Sequence, residues 1–117
     1  MLGDISRVQK IYLVTDHTDM RKSFDGLTSV IRDTYQLDPY ANALYLFCRR
    51  KHNTLKALYF DKTGFVLMQK RLDRGRFQWP GDPSQARELT RQELRWLLEG
   101  LSINQPGALR LSGRKDF

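Results

Sequence analysis

The chain has 117 residues, a formal net charge of +7, 40% hydrophobic residues and a single cysteine, Cys48. That size suits one domain with a packed core, and one thiol excludes an internal disulfide. Cys48 and the two distant histidines, His17 and His52, have no metal-site spacing, and no apolar run approaches the ~18–20 residues that span a bilayer. Neither a metal, a cofactor nor a membrane partner is therefore expected.

Met1–Lys10 lacks the apolar core of a secretory leader, so the expected location is cytoplasmic. Lys10–Thr15 is rich in β-branched and aromatic residues and reads as a first strand. Asp16–Asp19 closes it with loop chemistry, and Asp19 is a suitable N-cap for a helix over Met20–Gln36. Phe24, Leu27, Ile31 and Tyr35, spaced by three and four, form its apolar stripe. Gly26 costs that helix about 1 kcal/mol relative to alanine, which a close approach of another backbone would explain.

After a loop at 38–42, Leu44–Cys48 reads as a central strand, with Cys48 buried in it. Arg49–Asn53 is the polar tip of a hairpin. Thr54–Phe60 and Phe65–Leu72 are two more strands, joined by the short turn Asp61-Lys62-Thr63-Gly64. Asp73–Arg76 is a turn, and Phe77–Pro80 an extended piece, because a residue before proline avoids the helical region. Gly81–Arg87 is polar and reads as loose. Thr90-Arg91-Gln92-Glu93 has the capping-box pattern and opens a helix that stops at Gly100. Leu94, Leu97, Leu98 and Leu101 form its stripe. The expected fold is α+β: an antiparallel β-meander of four to five strands with two packed helices, in a single domain over residues 1–103 with a flexible tail over 104–117.

The charge is unevenly placed. Residues 49–76 hold Arg49, Arg50, Lys51, Lys56, Lys62, Lys70, Arg71, Arg74 and Arg76 against Asp61 and Asp73, which accounts for all of the net charge. The remaining residues balance. In a meander, the loop at 49–53 and the end of the third strand fall at one end of the sheet, so the two cationic runs become neighbours. Such a patch releases condensed counterions from a polyanion and binds it without base contacts. The candidate nucleic-acid-binding residues are Arg49, Arg50, Lys51, Lys70, Arg71, Arg74, Arg76 and Trp79. Phe77 and Trp79 read first as core; Trp79 is also a candidate to stack on an unpaired base. Arg21 and Lys22, in the first turn of the first helix, are candidate partner-binding residues. Asp16, Asp19, Asp25 and Asp61 are the carboxylates from which a metal nuclease would be built, but caps and turns account for them. No catalytic residue is assigned.

Three stretches taken together carry a resemblance. They are Asp19-Met20-Arg21-Lys22-Ser23-Phe24-Asp25-Gly26-Leu27, Lys70-Arg71-Leu72-Asp73-Arg74-Gly75-Arg76-Phe77-Gln78-Trp79-Pro80, and Leu97-Leu98-Glu99-Gly100, with Leu46-Phe47 before a basic loop. Over about residues 8–103 the chain resembles the TnpB-type accessory protein, the second reading frame product of the insertion-sequence-sixty-six family of bacterial transposable elements. The resemblance implies a non-enzymatic part in DNA transposition beside a separate transposase. It implies no catalytic residues. The family's shared basic positions match Arg21, Lys22, Lys70, Arg71, Arg74 and Arg76. Two functions follow as expectations: nucleic-acid binding, DNA above all, through the basic patch, or an adaptor that docks on the element's transposase without touching DNA.

Overall fold

The computed structural model describes residues 5–81 and 84–104, and the tail expected over 104–117 lies, beyond Asn104, outside the described residues. A short 3₁₀ turn, Ile5–Arg7, precedes strand β1, Lys10–His17. Helix α1, Phe24–Ser29, widens into a π-helical turn at Val30–Thr34. Strands β2 (Ala43–Cys48), β3 (Thr54–Asp61), β4 (Gly64–Arg71) and β5 (Ala86–Leu89) follow, then helix α2, Arg91–Leu98. The sheet order is β4-β3-β2-β1-β5.

The α+β class is as expected, and β2, β3 and β4 form the expected meander. β1, however, pairs with β2 in parallel, from Lys10↔Ala43 to Leu13↔Leu46. A parallel pair needs a crossover, and α1 with its π turn supplies it. Alternation then sorts the central strands onto two cores. Leu13, Leu44, Leu46, Leu55 and Ala57 face α2, while Val14, Tyr45, Phe47 and Leu58 face α1. Every residue of β2 is buried, as a strand covered on both faces requires. The two helices therefore lie on opposite faces of one sheet.

Three local readings differ from the sequence expectation. Asp19 does not cap a helix at Met20. Its carboxylate accepts from the Arg21 backbone N–H at 2.9 Å and from the Arg21 guanidinium, and α1 starts only at Phe24. Phe24 is consequently 42% exposed, and the stripe that reaches the core is Leu27, Thr28 and Ile31. At Gly26 a Cβ would meet Lys22 Cβ and Cγ at 3.1 Å, so the crowding comes from a side chain rather than another backbone. Finally, Ala86 and Arg87 belong to β5, which completes the sheet by pairing antiparallel with β1.

The capping box of α2 forms. Thr90 Oγ1 accepts from the Glu93 N–H at 3.0 Å, and Glu93 Oε1 accepts from the Thr90 N–H at 2.8 Å. Gly100 takes φ +83°, the left-handed geometry that closes the helix. Thr90→Ala should lower the unfolding free energy by about 1 kcal/mol in urea titration. An unchanged midpoint would mean that helix packing alone holds this end.

Candidate nucleic-acid interface

Parallel pairing sends β1 and β2 out of the sheet at the same end, where β3 begins and β4 finishes. The loops leaving that end are stitched together through the main chain. Leu72 N–H donates to the Asn53 carbonyl at 2.9 Å, and Phe77 N–H to the His52 carbonyl at 2.7 Å. Thr18 N–H donates to the Cys48 carbonyl at 2.7 Å. Within the loop after β2, Arg49 N–H reaches the Thr54 carbonyl and His52 N–H the Arg49 carbonyl, with His52 in the left-handed region at φ +59°. Gly75, at φ +81°, turns the other run back, a conformation glycine adopts without steric cost. The runs 49–51 and 71–76 thus share one surface, as the meander arithmetic anticipates.

Arg49, Arg50, Lys51, Arg71, Arg74 and Arg76 are all exposed there. The salt bridges formed among the described residues are Arg21–Asp19, Arg32–Asp33 and Arg87–Glu93, and none engages those six cations. Two histidines join them. Arg50 donates a guanidinium N–H to His17 Nε2 at 3.0 Å; a guanidinium has no lone pair to offer, so the imidazole nitrogen is the acceptor. His52 is held below the usual imidazole range by burial, by Arg76 and by His17. His52 lies within the expected hairpin tip at 49–53, whereas His17 comes beside Arg50 only through the parallel pairing His17↔Cys48, which nothing in the sequence signals.

The remaining cations of the stretch, and the candidates Arg21 and Lys22, separate. Lys70 turns to the α2 face, where its ammonium donates to the Leu98 carbonyl at 3.0 Å and caps that helix end. Lys56 is 7% exposed and donates to the Met20 and Lys22 carbonyls, both at 2.8 Å. It bolts the 18–23 segment onto the sheet rather than facing solvent. Lys62 sits in the β3–β4 turn at the opposite pole, at φ +50°. Arg21 is tied to Asp19, whose carboxyl it holds well below the usual range, while Lys22 is exposed.

Trp79 is corrected as a base-stacking candidate. It is 8% exposed, lies in the α2-side core with Phe77 and Leu97, and donates its indole N–H to the Val14 carbonyl at 2.9 Å. A ring covered on both sides offers no face to a base. The four aspartates are not gathered either. Asp16 accepts from Tyr35 Oη at 2.7 Å and from Ser84, bonds that lower its pKa, whereas Asp61 closes the distant turn. Among the described residues no group of three His, Cys, Asp or Glu is placed to hold a metal ion. Cys48 is fully buried, and burial pushes its thiol up to about 12, far from the range of a reactive thiolate. Among the described residues no helix is long and apolar enough to cross a membrane.

These features define a class: a mixed-sheet α+β protein with a helix on each face and cationic loops at one end. The chain belongs to the IS66 Orf2-like family, whose model, described as IS66 Orf2 like protein, matches residues 9–108. It is thereby an insertion-sequence accessory protein. It is 35% identical over 97 residues to the uncharacterized protein y4hO of Sinorhizobium fredii (strain NBRC 101917 / NGR234), covering 83% of this chain and 84% of the relative. It is 29% identical over 101 residues to y4jC of the same strain, covering 86% of each. No solved structure matches.

Proposed function

We propose that this accessory protein acts without catalysis, binding nucleic acid, DNA above all, through its cationic end while a separate transposase performs the chemistry. One observation carries the reading: two runs of guanidinium and ammonium groups, separated by about twenty residues in sequence, are sewn to one surface by main-chain hydrogen bonds and left without carboxylate partners among the described residues. Cations held that way gain most from replacing the counterions around a phosphate chain. The burial of Phe77 and Trp79 supports contact with the phosphate backbone over stacking on splayed bases.

Fluorescence anisotropy with a labelled duplex, repeated across salt, tests this. A surface neutralising about five phosphates gives a log–log slope near −4 to −5, at roughly 0.9 per phosphate. Binding that ignores salt, or no binding at low salt, would remove the proposal.

A further inference from the structure

The sheet has two edges, and they differ. β5 is four residues long, and the chain turns directly from it into α2. β4 is eight residues long and runs in unbroken register with β3 from Asp61↔Gly64 to Thr54↔Arg71. It contains no proline and no bulge, and its charge is confined to Lys70 and Arg71. Exposed edges are normally blunted by one of those devices, since a row of free N–H and C=O groups is a template for another strand.

The ladder determines which groups are free. Leu72 donates inward to Asn53, so the residues in step with it, Lys70, Met68, Val66 and Gly64, are the ones that exchange bonds with β3. Phe65, Leu67, Gln69 and Arg71 therefore turn their backbone groups outward. Among the described residues no strand lies beyond them.

We propose that this edge pairs antiparallel with β4 of a second copy of the chain, about a two-fold axis through Met68. Phe65 then faces Arg71 of the second copy and Leu67 faces Gln69, so every outward-turned residue finds a partner. An axis through Leu67 leaves Arg71 without one. Side chains agree with this register. Val66 meets the stem of Lys70, Met68 meets Met68, and the Arg71 guanidinium lies over the Phe65 ring. Apolar surface reaches the edge on both faces. On one, Phe65 forms a cluster with Phe60 and the 60% exposed Tyr40, with ring centroids 5.0–5.2 Å apart. On the other, an apolar groove of about 180 Å³ beside β4 is lined by Leu55, Ala57, Met68, Leu94 and Leu98.

Charge selects the antiparallel arrangement. Parallel pairing would set two cationic ends side by side. Antiparallel pairing puts each Arg71 three residues from the axis, so the two stand roughly 20 Å apart at ~3.4 Å per residue. That is about twice the Debye length at moderate salt, and the repulsion is screened.

Light scattering on the full chain at rising concentration, with amide exchange followed by NMR, tests the proposal. The mass should move from monomer to dimer. The amides of Phe65, Leu67, Gln69 and Arg71 should gain protection in step, on top of steady protection at Val66, Met68 and Lys70. Gln69→Pro removes an outward N–H and none that β3 uses, once in each copy, and should weaken the dimer about thirtyfold. Three results would overturn the proposal: a monomer at every concentration, a dimer in which the four outward amides stay unprotected, or a Gln69→Pro chain with its inward amides protected that dimerises like the parent. Protection of the four amides only when an unrelated acidic peptide is added would also overturn it, in favour of a different occupant.

Discussion

Replacing Arg49, Arg50, Arg74 and Arg76 together by glutamine is expected to weaken duplex binding about a hundredfold at moderate salt. It should also flatten the log–log salt slope by between three and four, near one unit per lost phosphate contact. These side chains are exposed and make no salt bridge among the described residues, so the thermal midpoint should barely move. Lys62→Gln is the matched control. It removes one charge from the same cationic stretch of sequence, but at the other pole of the β3–β4 hairpin, and should leave affinity within about twofold. If Lys62→Gln weakened binding as much as a single arginine change at the cationic end, overall charge would be at work rather than a site. If the quadruple variant bound normally, the interface would lie elsewhere.

Trp79→Ala should cost about 3–5 kcal/mol of folding free energy, a large part of what holds a domain of this size together. Two losses combine. A cavity opens in the α2-side core, and the Val14 carbonyl keeps no indole donor. Trp79→Phe separates them, because it fills most of the volume and forfeits the hydrogen bond. Its expected cost is about 1–2 kcal/mol, read from urea unfolding followed by circular dichroism. Affinity for duplex or single strands should be unchanged in the folded Trp79→Phe protein. A variant with parental stability and impaired binding would instead return Trp79 to the ligand surface.

Much of the fold is readable from local chemistry. The hairpin turn at 61–64, the capping box at Thr90 and the Gly100 stop each depend on a few adjacent residues, and each forms. What escapes is non-local. β1 and β2 carry the same apolar character whether they pair in parallel or not, so nothing within Lys10–His17 announces its neighbour. From that one pairing follow the crossover through α1 and the arrival of His17 beside Arg50. β5 escapes because only Leu89 of its four residues is buried, which leaves almost no alternation to detect. In the site, clustered arginines betray themselves by composition, whereas the fates of Lys56, Lys70 and Trp79 depend on which carbonyl each one reaches across the fold.

The shared exit of β1 and β2 has a further consequence. The cationic end is assembled mostly from connecting segments, joined by the last residues of β1 and β4, His17 and Arg71. Insertions or deletions in 49–53 or 73–76 would reshape that surface while leaving both hydrophobic layers in place, since connections tolerate length changes that packed strands do not. On the binding role proposed above, related chains would vary their grip by editing loops over a constant chassis.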